Sequence, residues 1–322
     1  MEQQHRKPPE KLPLYARLLL LALLIALLAV FAPSLLQQML HAALDEVFPL
    51  PESAQTEYSG QTAEIHFIDV GQGDSVLIEQ NGEYALLDAG TPASADAVVA
   101  YLQNHGVTRL RYLLLTHFHA DHLGGALRVV QNFPIQTVIL PDLELAPMPT
   151  SATALNLLEA LNQKQEAGEL ETTVPAIGDT FALGAGELEV IGAGLTCKGD
   201  CNNTSLMTLF RFDGFTYYSA GDAEAEAEAD LLERTGSTLH ADLYKASHHG
   251  SSSSNTAALL QQLQPTVAVI SCGLDNSYGH PHREALEALQ EVGAAIYRTD
   301  ESGSVVVTVQ NGQMTVHTEK GE

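Results

Sequence analysis

Four potential metal ligands fall within six residues in His117-Phe118-His119-Ala120-Asp121-His122, directly after the apolar run Leu110–Leu115. On a loop leaving a strand, alternation lets His117 and His119 aim both imidazoles at one ion. Asp121 and His122 then turn toward a second ion close by, a two-metal hydrolytic geometry with Asp121 also placed for catalysis. The plain alternative is a polar surface loop with chance histidines. The metal reading is favoured because the motif sits where a strand ends and Gly124-Gly125 allows a tight turn around a ligand. His280, between Gly279 and Pro281 and just ahead of a helix, could give a proton or a hydrogen bond to a scissile phosphate, or could be a helix-start histidine without a chemical task. Asp69 and Asp74 surround Gly71 and Gly73 in what is either a turn near the site or a purely structural one.

Period and punctuation place these residues. Strands are expected at Glu64–Asp69, Ser75–Glu79 and Glu83–Asp88, the last two joined by Gln80-Asn81-Gly82, a hairpin signal. Next come a helix at Ala95–Asn104, a strand at Leu110–Thr116, a helix at Leu123–Gln131, a buried strand at Thr137–Leu140 and a helix at Ala152–Ala167. The second half repeats the mixture. Strands fall near Glu187–Ile191, Ser205–Phe212, Thr216–Ala220, Asp242–Ala246 and Thr266–Ser271, with helices at Ala223–Glu233, Thr256–Gln264 and Arg283–Val292. Three further strands close the chain near Ala295–Arg298, Ser304–Val309 and Gln313–His317. Two mixed halves predict an α/β (α+β) domain, a four-layer αββα sandwich over residues 62–318. Each ligand candidate follows a predicted strand, so the fold would gather them along one edge.

The HxHxDH set, read with Ile68-Asp69-Val70-Gly71-Gln72-Gly73-Asp74-Ser75, Leu87-Asp88-Ala89-Gly90, Ser219-Ala220-Gly221-Asp222, Lys245-Ala246-Ser247-His248-His249-Gly250-Ser251 and Tyr278-Gly279-His280-Pro281, resembles the metallo-β-lactamase superfamily. In order and spacing it is similar to that domain of ComEC-type DNA-uptake competence proteins. The resemblance implies the αββα fold and two divalent ions, Zn²⁺ or Mn²⁺. It puts His117 and His119 on the first metal, Asp121 and His122 on the second, and Asp222 between them. The alternative for Asp222 is the N-cap of the helix that follows. Of the His248-His249 pair, His248 is the favoured ligand and His249 a supporting or substrate-contacting group, with the reverse assignment open. Asp88 corresponds to the carboxylate that orients a ligand histidine from behind. One position departs from many superfamily members. A third histidine of the first metal is replaced within Cys201-Asn202-Asn203-Thr204-Ser205, as in ComEC-type domains, leaving water, Asn203 or a phosphate oxygen to complete that shell. Gly250 and Ser251–Ser254 would let the backbone approach an anionic substrate, or form a flexible loop.

The resemblance implies DNA as substrate. The 322 residues carry a net charge of −25, which argues against a broad basic groove for nucleic acid. Small or wall-linked phosphodiesters are therefore the second enzyme reading, and a non-catalytic surface-binding domain the third. The alternating acids of Asp222–Asp230 read as a solvated helix. At the N-terminus His5-Arg6-Lys7, Lys11 and Arg17 precede the leucine-rich stretch Leu18–Ala32, ended by Pro33. Residues 1–33 are expected to be an uncleaved signal anchor, one hydrophobic helix in the membrane with the catalytic domain outside the cell, or else a removed secretory peptide. Residues 34–61 read as a tether, and no protein partner is identifiable. Cys197 and Cys201 suit a small loop disulfide, while Cys272 reads as core.

Overall fold

The computed structural model describes residues 58–144, 149–194 and 201–321. The expected N-terminal helix, most of the tether and Cys197 lie outside these residues. The chain from Tyr58 onward forms one compact unit. Among the described residues no helix is long and apolar enough to cross a membrane.

The strands of the first half are β1 (Thr62–Phe67), β2 (Val76–Gln80), β3 (Glu83–Leu87), β4 (Leu110–Leu114), β5 (Ile135–Ile139) and β6 (Glu171–Thr173). They are followed by β7 (Thr180–Leu183), β8 (Gly186–Ala193), β9 (Leu206–Phe212), β10 (Phe215–Ser219), β11 (Leu243–Lys245) and β12 (Val267–Ile270). The last three are β13 (Ala295–Arg298), β14 (Val305–Gln310) and β15 (Gln313–Thr318). One sheet runs β15-β14-β1-β2-β3-β4-β5-β6 and the other β13-β12-β11-β10-β9-β8-β7. Strand alternation explains the layers. In β4, Tyr112 and Leu114 face the opposite sheet, while Leu113, and Leu115 just past the strand, join the core beneath the helices. The same holds in the second sheet, where Val267 and Val269 point between the sheets and Ala268 and Ile270 point outward to helices.

Helices α1 (Ala95–Asn104), α2 (Ala120–Leu123), α3 (Ala126–Asn132) and α4 (Ala152–Glu166) belong to the first half. Helices α5 (Ala225–Thr235), α6 (Ala257–Leu263) and α7 (Arg283–Glu291) belong to the second. Apolar faces such as Val98, Leu102, Leu157 and Leu161 on one side, and Leu231, Leu260 and Leu289 on the other, complete an αββα sandwich. Each such fully buried leucine contributes about 1.5–3 kcal/mol.

Three expectations are corrected. The single helix at Leu123–Gln131 is two, because His122 O accepts from Ala89 N (2.7 Å) and Gly125 N donates to Gly90 O (3.2 Å), diverting the helical ladder. A side chain at Gly125 would lie 2.2 Å from Ala89 O, so glycine permits this close crossing. The helix after Asp222 begins at Ala225 with Glu224 as its N-cap, so Asp222 does not cap it. Nor is the Asp222–Asp230 run solvated throughout. Glu228 is fully buried and accepts from Asn255 N (2.7 Å) and Thr256 N (2.9 Å), satisfying the start of α6. Strands β6 and β7, at the sheet edges, have no counterpart in the periodicity.

Strands β3 to β6 are mutually parallel, as are β10 to β13. Their C-terminal ends therefore point the same way within each sheet, and the loops after β3, β4, β10, β11 and β12 carry the candidate residues.

Candidate metal centre

The loop after β4 is fixed from below by Phe118, which is buried in the helix-side core, so that alternation turns His117 and His119 away from it. From the side, the 71–75 turn clasps the loop. Asp74 N donates to Asp121 O (3.0 Å), and a side chain at Gly73 would stand 2.4 Å from that same oxygen. Asp69 accepts from Gly71 N (3.1 Å), which makes its own role that of a turn former.

Three imidazoles have their tautomers set by partners behind them. Thr116 Oγ1 donates to Asp88 Oδ2 (2.7 Å) and so accepts from His117 Nδ1 (3.1 Å). His122 Nδ1 donates to Asp88 Oδ2 (2.8 Å), and His249 Nδ1 donates to Ser271 O (2.9 Å). In each ring Nε2 is left facing the centre. Asp222 lies among them: Oδ1 is 3.1 Å from His122 Nε2, and Oδ2 is 3.6 Å from His249 Nε2 and 3.8 Å from His117 Nε2. His249 Nε2 is also 3.2 Å from Asp121 Oδ2, and His117 Nε2 is 3.0 Å from His119 Nδ1.

Asp121, His122, Asp222 and His249 can hold one cation, and His117, His119 and Asp222 another, with Asp222 common to both groups. Buried Asp222 Oδ1, His122 Nε2 and His249 Nε2 all lack a hydrogen-bond partner. Lone pairs on nitrogen and carboxylate oxygen converging in a buried space cost energy unless a cation lies between them, so the donor set fits metal ions.

The structure places His249 in the first of these groups instead of His248. Two consecutive residues in the left-handed region, His248 at φ 49° and His249 at φ 54°, turn His249 inward and buried, while His248 stays partly exposed. His248 Nδ1 is 3.3 Å from Glu224 Oε1 and its Nε2 3.8 Å from Asp222 Oδ2. Asn203 faces away from a ligand role, since its Oδ1 accepts from Glu224 N (2.9 Å). Asn202, its neighbour, lines the cavity.

That cavity holds about 360 Å³ and is bordered by Gln72, Asp121, Asn202, His248, Tyr278 and His280 among others. The Gln72 amide donates to His280 Nδ1 (3.4 Å). Burial, reinforced by His249 and His248, pulls His280 down to about 4, so it is neutral at neutral pH. It is thus built to give a hydrogen bond and poorly suited to give a proton.

Asp74, read from the sequence as part of a turn, and Lys245, quoted there in a motif without a role of its own, lie together beneath the site. Lys245 is 1% exposed and its ammonium pairs with Asp74. Asp74 Oδ1 lies 3.5 Å from His249 Nδ1 and Oδ2 3.7 Å from His122 Nδ1. Burial opposes ionisation of Asp74, but Lys245 and His249 hold it at about 2.

The histidines are set in opposite directions when no metal is bound. Burial pushes His117 well below 6.5, with His122 adding to the shift. For His249 burial is outweighed by Asp222 and Asp74, which raise it to about 9, and His122 is likewise raised well above 6.5 by Asp222 and Asp88 against burial. Stability from His249 is fully present below its unfolded value of 6.5 and is lost as pH rises through about 9. Stability associated with neutral His117 is lost as pH falls below 6.5. Metal-free protein should therefore have its highest melting temperature near pH 6.5, and the fall on the alkaline side should flatten once a divalent cation replaces the protons. Thermal scans from pH 5 to 9 in chelator and in Mn²⁺ test this; a metal-free melting temperature that climbs steadily to pH 9 would refute it.

Residues 68–274 match the family model of the metallo-beta-lactamase superfamily. ComE operon protein 3 of Bacillus subtilis (strain 168) is 28% identical over 269 residues, covering 77% of this chain and 33% of that protein. Competence protein ComA of Neisseria gonorrhoeae is 28% identical over 238 residues, covering 74% of this chain and 31% of that protein. The chain spans about a third of the length of these relatives. Among solved structures, a mutant of the β-hydroxylase CmlA aligns with a TM-score of 0.50 at 16% identity, over 81% of this chain and 54% of that one, which is a likeness of fold alone.

Proposed function

The chain belongs to the metallo-β-lactamase superfamily, and we propose that within it this protein is a binuclear metal-dependent phosphodiesterase acting on DNA, held at the outer face of the cell membrane by its N-terminal segment. The observation that carries the reading is Asp222, whose buried carboxylate is common to two groups of ligand side chains, Oδ1 lying near His122 and Oδ2 near His249 and His117. Such a set suits two Zn²⁺ or Mn²⁺ ions sharing a carboxylate. When bound, these ions supply Lewis acidity at phosphorus and activate water. His117, His119 and Asp222 would hold the first, and Asp121, His122, His249 and Asp222 the second. His280, kept neutral with its Nδ1 accepting from Gln72, offers its Nε2–H to a phosphoryl oxygen. Asp88, Thr116 and the Ser271 carbonyl keep the ligand rings from rotating. DNA is supported by the likeness to a competence protein. A small or wall-linked phosphodiester is the second reading, favoured by the net charge of −25.

Hydrolysis of labelled single-stranded DNA and of bis(p-nitrophenyl) phosphate by the full chain, loaded with Mn²⁺ or Zn²⁺, tests the proposal. Metal-dependent cleavage of both is expected. Cleavage of the small ester alone would move the substrate to the second reading, and no cleavage with any metal would overturn the phosphodiesterase itself. The ligand assignment has its own check. His249→Ala should lose about one metal equivalent per chain, whereas His248→Ala should retain both metals and raise KM. Metal content after gel filtration decides; equal losses in the two variants would refute the distinction.

A further inference from the structure

Among the described residues, Leu274 (73% exposed) and Tyr278 (66%) are the most exposed of the large hydrophobic side chains; both sit on the loop from β12 to α7, and Tyr278 lines the cavity. An exposed tyrosine on a loose loop would be ordinary, but this loop is tied down. Asn276 Nδ2 donates to Gly273 O (2.9 Å) and His280 O (2.6 Å), while its Oδ1 accepts from Tyr278 N (3.2 Å) and His280 N (3.0 Å). Gln72 Oε1 accepts from Gly273 N (3.1 Å). His282 Nδ1 accepts from Ser252 N (2.9 Å), which leaves its Nε2 to donate to Tyr278 O (3.2 Å). The backbone under Tyr278 is therefore held from within the loop and from two other segments. A rigid, solvated aromatic ring loses little entropy when it binds a partner.

The ring is also aimed. Tyr278 stacks on His280 at 5.6 Å and 21°, and His280 lies at 6.1 Å and 30° from His249. A series of near-parallel rings thus runs from the ligand His249 through His280 to Tyr278, whose largely exposed side chain is open to another flat ring. The partner must be planar and must accept an acidic setting, because residues 60–322 carry 34 acidic side chains against 11 basic ones. Phosphate attraction to a basic groove is not on offer here, and stacking is the contact that salt and charge leave intact.

We propose that Tyr278 is a nucleobase platform, stacking the base that adjoins the phosphodiester held at the Asp222 centre and selecting single-stranded, base-bearing polynucleotides. This rests on the phosphodiesterase reading above and deepens it. Single strands are selected because a base within a duplex keeps both faces covered by its neighbours.

The test compares KM and kcat of the full Mn²⁺-loaded chain on oligothymidine and on an abasic oligomer of equal length. Wild type should have a KM about ten- to a hundredfold lower on the base-bearing strand. Tyr278→Ala should raise that KM toward the abasic value, with the effect on KM and not on kcat; Tyr278→Trp should restore it and Tyr278→Leu should not. A ratio that is unity in wild type, or that survives in Tyr278→Ala, overturns the platform. If wild type cleaves no phosphodiester at all, the phosphodiesterase reading fails separately. The platform is then decided by 2-aminopurine fluorescence in a single strand, which wild type should quench and Tyr278→Ala should not; no quenching by wild type overturns it.

Discussion

Asp222→Ala should lower turnover on the order of 10³-fold and reduce bound metal below two equivalents per chain, while the fold survives. Asp222 is common to both ligand groups, with Oδ1 toward His122 and Oδ2 toward both His249 and His117, so a single truncation reaches both. Burial would by itself raise the carboxyl, but His122 and His249 hold it well below the usual range. With the carboxylate gone, both histidines can shed their protons, so no uncompensated charge stays buried. The local backbone is retained as well, because Asp222 N donates to Ser205 Oγ (3.1 Å) whatever the side chain. Steady-state rates, metal content and a melting curve on the same preparation are the measurements. Turnover within tenfold of wild type would end the shared-carboxylate proposal.

Lys245→Met should be the most destabilising change beneath the site, by about 3–5 kcal/mol, because it strips the counter-ion from a buried carboxylate. Asp74 is 2% exposed, and its backbone links Asp121 O (3.0 Å) to Gly90 N (2.7 Å), so displacement of Asp74 would spread into the metal-binding loop. For a domain of this size the melting temperature should fall by roughly 6–20 °C. Adding Asp74→Asn to Lys245→Met should recover much of the loss, since the carboxylate left stranded by the first change is then removed. A double mutant no more stable than Lys245→Met would show that the ammonium acts by packing and not by charge.

Much of the centre was legible in the chain because its parts are short and local. His117, His119, Asp121 and His122 come from one strand end and one turn, so alternation alone brings them together. Asp88 and Asp222 were legible from the order of the motifs, each just beyond a parallel strand. The layered fold followed from strand and helix periods, except at β6 and β7. Those edge strands are short and partly exposed, and so carry no alternation for the eye to find.

Side-chain type and near-neighbour spacing are properties of the chain, and they set the ligand chemistry and the strand ends that carry it. The tertiary structure alone decided which of two adjacent histidines faces inward, since that depends on the positive φ of both residues and on the Ser271 carbonyl that receives His249 Nδ1. It alone made Lys245 a core residue, through an Asp74 that lies 171 positions earlier in the chain, and it alone turned Glu228 from a solvated acid into the anchor of α6. Pairings across such distances are chosen by how the two sheets close on each other, and that information is absent from any local stretch of residues.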